Sequence, residues 1–128
     1  LNCGSTAQHV LAKKGDDVRI DWGYFYLAGE KENTVCLMGD GHALRTGFVY
    51  GNLRGSTSGS EAGDSRLAMV RQPGRVKECT GQVMIGYDDI YSVQYFGENL
   101  RPYWNRTGTG SITTQFEQAI RDSDEAVL

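Results

Sequence analysis

Cysteine and histidine are scarce in this chain, and neither is clustered. The 128 residues hold three cysteines, Cys3, Cys36 and Cys79, and two histidines, His9 and His42. A structural zinc site gathers about four N or S ligands at close spacing. With no CxxC pair and no neighbouring histidines, the sequence supplies no metal centre and requires no cofactor. The odd cysteine count leaves at least one thiol unpaired. Three free thiols packed as small apolar groups is the simpler reading, and a single disulfide is the other. Long apolar runs are missing too, since none approaches the ~20 residues that span a bilayer. The net charge is only −3, with Lys and Arg scattered. No basic stripe marks a nucleic-acid footprint, and no basic amphipathic helix marks a membrane surface. There is no GxSxG elbow to carry a serine hydrolase triad. The Gly-rich segment 51–63 lacks the Gly-Lys-Ser/Thr ending of a phosphate loop. His9 and His42 stand alone and read as surface or edge residues.

What is present is an ordinary globular composition, 39% hydrophobic and 23% charged, tilted toward turns by 17 glycines. It suits many short strands better than long helices. A chain of this size forms one domain and buries roughly two thirds of its unfolded surface. It begins without Met and stops inside a helical pattern, so it reads as an excised piece, and the lack of a leader says nothing about compartment.

Along the chain, the Gly15-Asp16-Asp17 turn precedes a clean alternation. Val18, Ile20, Trp22, Tyr24 and Tyr26 share one face of a strand, and Arg19, Asp21, Gly23, Phe25 and Leu27 share the other. The second face turns apolar at Phe25, as in a strand covered on both sides. A charged turn, 29–33, leads to a strand over Thr34–Met38. Gly39-Asp40-Gly41 then predicts a tight hairpin into a strand from Ala43 to Tyr50. Residues 51–65 read as a long exposed loop, and Arg66–Arg71 as a further strand. Gln72-Pro73-Gly74 has type II turn chemistry, and a strand is expected from Arg75 to Tyr87. Asn105–Gly110 reads as a linker. Thr114 and Glu117 form a capping box opening a helix along which Phe116, Ala119, Ile120 and Val127 make the apolar stripe. The expected fold is mainly β, an antiparallel β-sandwich over residues 1–110, with a C-terminal α-helix over 111–128 leading into a helical domain.

The densest stretch is Gly81–Trp104, which holds four of the seven Tyr, one of the two Trp and one of the two Pro. Adjacent carboxylates, Asp88 and Asp89, interrupt its apolar run. Two carboxylates can divide acid and base roles when their surroundings separate their pKa values. Adjacent strand residues face opposite ways, however, so the pair serves one substrate only if the backbone turns there. The plainer reading gives one Asp to a turn cap or to Arg101 and leaves the other solvated. Tyr91, Val93 and Tyr95 alternate as a strand would, although Ile90, Val93 and Tyr91, Tyr95 also have helical spacing; the strand reading is preferred. Asp21 beside Trp22 is a weaker binding candidate, and Asn105-Arg106-Thr107 matches a glycosylation sequon.

Two stretches, Lys14 to Ala28 and Ile85 to Trp104 with its Gly86-Tyr87-Asp88-Asp89-Ile90-Tyr91 core, resemble signature segments of the glutaminase A family of bacteria and fungi. The resemblance implies the β-sandwich domain that precedes a helical-hairpin catalytic domain. The whole enzyme would hydrolyse glutamine, a small-molecule substrate, to glutamate and ammonia, in a periplasmic or extracellular setting. It places no catalytic residue on this chain. If the chain contributes any, Asp88, Asp89 and Tyr91 at the junction are the candidates, with Asp21 and Trp22 for binding. From another class, a carbohydrate-binding sandwich would use the same mixture of acids and aromatics.

Overall fold

The structure is a computed structural model that describes residues 1–12, 21–57, 59 and 65–126. Its elements run β1 (Asn2–Gly4), β2 (Tyr24–Gly29), β3 (Thr34–Asp40), α1 (Gly41–Val49), β4 (Ser65–Arg71), β5 (Val83–Asp88), β6 (Val93–Tyr95), β7 (Glu98–Leu100), a 3₁₀ turn (Tyr103–Asn105) and α2 (Ile112–Ala126). The chain is mainly strand, in antiparallel pairs, with the expected C-terminal helix. Two compact units share these elements, one of Leu1 with Gly29–Gly81 and one of Asn2–Ala28 with Gln82–Leu128.

In the first unit β3 and β4 pair antiparallel, from Thr34 opposite Arg71 to Asp40 opposite Ser65. The segment expected to be a second hairpin strand, Ala43–Tyr50, lies instead almost wholly in helix α1. Asp40 is not a hairpin residue but the helix cap: its Oδ1 accepts the Ala43 N–H at 2.8 Å. That hydrogen bond is also the leading reason its carboxyl titrates below the usual range. Gly41, Leu44 and Gly47 are buried at helical spacing, and Leu44 with Leu37 of β3 supplies the apolar core of this unit. The loop after α1 is tied back where Met38 and Ser56 exchange backbone hydrogen bonds of 2.7 and 2.9 Å. The remainder of the expected loop, residues 58 and 60–64, lies outside the described residues. Gly74 has φ +76°, as the Pro73-Gly74 turn requires. The strand expected from Arg75 begins only at Val83. Residues 74–81 are all exposed, with no alternating burial to favour pairing. A side chain holds them instead: the Arg71 guanidinium donates to the Thr80 carbonyl and pairs with Glu30 at 2.6 Å.

In the second unit three strands form a sheet in the order β1-β2-β5. The expected strand start at Val18 lies outside the described residues, and the described strand opens at Tyr24. Helix α2 presents Ile112, Phe116, Ala119 and Ile120 half-buried. Phe116 meets Tyr26 at 6.0 Å between ring centroids. Gly86 leaves the space this ring occupies, since a Cβ there would come within 2.6 Å of Phe116 Cζ. Because α2 begins at Ile112, Thr114 sits inside the first turn and the capping box read at Thr114 and Glu117 is not formed. The Gln115 N–H bonds the Ser111 carbonyl, which places the helix start two to three residues earlier.

Beyond Asp89 the strand reading holds for Val93–Tyr95, which returns as a hairpin onto Glu98–Leu100. The connecting Phe96 and Gly97 have φ +47° and +84°. Positive φ at both central residues is the mark of a type I′ turn, whose twist matches that of the strands it joins. Asn105, read as part of a linker, is buried, and its Oδ1 accepts the Gly110 N–H at 2.8 Å.

Candidate functional site

The residues singled out from sequence converge, because β2 begins just after Trp22 and β5 ends at Asp88. Trp22 is 3% exposed. Its indole N–H points at the Asp89 carbonyl, 2.7 Å away, and at the Tyr91 carbonyl, 3.2 Å away. The Tyr87 hydroxyl donates in return to the Trp22 carbonyl. Gly23 follows with φ +86°, and a Cβ there would overlap the Asp88 carbonyl. Only glycine meets both conditions.

The opposing segment turns sharply. Asp88 Oδ1 accepts the Ile90 N–H at 3.0 Å, the Asx-turn role that makes Asp common in turns. The Tyr91 N–H bonds the Asp89 carbonyl across Ile90, whose φ is +61°. This is a γ-turn of the rare positive-φ kind. A β-branched residue in that region is strained by roughly 1–3 kcal/mol, so the surrounding bonds must hold it.

Gln8, which carried no signal in the sequence, completes the arrangement. Its side-chain amide accepts from the Gly23 N–H and donates to the Gly23 carbonyl at 3.4 Å. A glutamine in an irregular segment looks like any surface residue, and only the fold shows it clasping backbone.

Asp21, Trp22, Asp88, Asp89 and Tyr91 therefore lie at one place, but the bonds formed there are chain to chain. Asp88 holds a turn. Asp89 and Tyr91 contribute carbonyls to the indole, and the Tyr91 ring lies under the Arg101 guanidinium, 4.9 Å from its centroid. The Tyr87 hydroxyl titrates above its ordinary value, first because it is partly desolvated and then because the carboxylates of Asp89 and Asp21 oppose a further negative charge. It stays a neutral donor. Through the bonds of Trp22, Tyr87 and Gln8, the arrangement forms a latch between residues 21–23 and 87–91.

Away from the latch, the β6–β7 hairpin and the 3₁₀ turn expose Val93, Tyr95, Phe96, Leu100 and Tyr103. Tyr95 and Phe96 meet edge to face at 4.5 Å, and Arg106 lies 4.9 Å over the Tyr103 ring. In the other unit, Phe48, Asn52, Leu53, Val70, Arg71 and Gln72 line an open hollow of about 360 Å³. Its one cation, Arg71, is already paired with Glu30. His9 and His42 are exposed. Cys3, Cys36 and Cys79 are free thiols, with Cys36 half-buried and the other two exposed. Among the described residues no group of three His, Cys, Asp or Glu side chains is placed to hold a metal, and no helix is long and apolar enough to cross a membrane.

Compared with known families, the chain matches along its whole length, residues 1–128, the profile of a domain of unknown function, DUF5127. No curated protein and no solved structure matches it.

Proposed function

The chain thus belongs to the DUF5127 family, and we propose that it is the accessory β-sandwich domain of a glutaminase A-like amidohydrolase, without activity of its own. In this reading the full enzyme hydrolyses glutamine outside the cytoplasm. Residues 1–110 form the sandwich part, and α2 leads into a helical catalytic domain.

The observation that carries the proposal is the contrast between the latch and the hairpin. The side chains of Trp22, Tyr87 and Asp88, which could have served chemistry, are bonded to the chain's own backbone. The aromatics just beyond them, Tyr95, Phe96 and Tyr103, are left in solvent. Exposed apolar patches rimmed by polar residues mark contact surfaces. Tyrosine and phenylalanine are also the residues that contact surfaces favour.

The test has two parts. The 128-residue chain should release no ammonia from glutamine above background, and turnover would refute the accessory role. In a longer polypeptide that also carries the helical domain, Tyr95→Ser with Phe96→Ser should lower the thermal midpoint. The carbohydrate-binding alternative rests on Tyr103, exposed at 81%, more than on the buried Trp22. Titration with soluble polysaccharides, following tyrosine fluorescence, separates the two.

A further inference from the structure

Strand β5 lies at one end of the sheet order β1-β2-β5 and bonds to β2 on one side. Among the described residues no other backbone segment bonds to its far side. Natural edge strands are blunted by lysine, proline, a bulge or a covering element. Val83-Met84-Ile85-Gly86-Tyr87 has no proline and no charge. Phe116 packs between Gly86 of β5 and Tyr26 of β2, so α2 lies inboard of the edge. On the opposite face Val83 and Ile85 are 65% and 69% exposed.

We propose that β5 is an association edge at which a second copy of this chain adds its own β5 antiparallel, joining two sheets into one. The edge is its own complement. A two-fold axis perpendicular to the sheet keeps the helix-covered face of both copies on one side, which restricts the register. Centring the axis on Ile85 pairs five strand residues, Val83 to Tyr87, and is the register that keeps the charged Asp88 out of the paired strand segment. It sets Ile85 against the partner's Ile85, Val83 against the partner's Tyr87, and Met84 against the partner's Gly86. Asp88 then faces the partner's Gln82, so no two like charges oppose each other, whereas like charges directly across a ladder repel. The apolar side chains of the two exposed faces become cross-strand neighbours. The proposal is independent of the accessory role.

Sedimentation velocity of the 128-residue chain over a wide concentration range tests it. The wild type should show a reversible monomer–dimer equilibrium. Ile85→Lys and Ile85→Glu, at a solvent-exposed position, should each keep the wild-type circular dichroism. Each should also weaken dimerisation about tenfold or more, because each sets like charges face to face. Mixing the two variants should restore the dimer. Hydrogen exchange should slow with concentration at alternate β5 amides in the wild type alone. A wild type that stays monomeric, a dimer indifferent to both charges, or open-ended association would each overturn the proposal.

Discussion

The indole N–H of Trp22 donates to the carbonyl of Asp89, 67 residues away in sequence, and in doing so fixes the end of one strand against the turn that ends another. Removing the donor while keeping an aromatic ring leaves the Asp89 and Tyr91 carbonyls to find other partners. Trp22→Phe should lower the unfolding free energy by about 2 kcal/mol. Trp22→Ala, which also empties the ring's volume, should lower it by about 4 kcal/mol. Urea unfolding followed by far-UV circular dichroism measures both.

Alkaline titration should act through Tyr87. Its folded pKa lies above the ordinary value of 10.0, so the folded state favours the protonated phenol. The associated stability is fully present below the unfolded pKa and is lost as pH rises from there through the folded value. The thermal midpoint should therefore fall above pH ~10. In Tyr87→Phe that part of the fall should be missing. Equal alkaline slopes in the two proteins would contradict the assignment.

Gly86→Ala should destabilise the chain by roughly 1–3 kcal/mol, since the added methyl meets the Phe116 ring. Shrinking the ring makes room. The double variant Gly86→Ala with Phe116→Leu should cost less than its two single changes added together, the non-additivity expected of contacting residues.

Phe96 is 91% exposed and holds a positive φ that its side chain disfavours. Asparagine before glycine is the preferred pair for this turn, so Phe96→Asn should stabilise the isolated chain by about 1 kcal/mol. If the hairpin is a contact surface, the same variant should bind its helical partner domain more weakly. A stability gain paired with a docking loss would show that the strained phenylalanine serves contact more than folding.

The sequence made some of these elements plain and hid others for identifiable reasons. Thr34–Met38 read as a strand because apolar residues fill it without a break, and α2 because its stripe recurs at helical spacing. Helix α1 was hidden. Its nine residues, Gly41–Val49, include two glycines and end in Phe48-Val49 ahead of Tyr50, a strand-like composition. The decisive signal was Asp40, equally at home in a turn, acting as a cap. The Phe96-Gly97 hairpin was hidden because phenylalanine is a poor predictor of positive φ. At the candidate site, the five residues singled out from sequence lie at one place, and Asp88 takes the turn-capping role that the plainer reading gave to one Asp of the pair. Side-chain identity announced Trp22, Asp88 and Asp89, but it cannot show that the indole meets carbonyls, or that Gln8 reaches Gly23. Those contacts depend on how distant segments are brought together.

The burial of Asn105 bears on a question of timing. The residue is 9% exposed and its amide oxygen is engaged with Gly110, so an oligosaccharyltransferase meeting the finished chain would find the Asn105-Arg106-Thr107 acceptor closed. In a secretory host, sugar could attach here only during translocation, before the 105–110 segment folds back, and a chain so marked could not then close that loop. Glycan occupancy at Asn105 would count the molecules that folded too late.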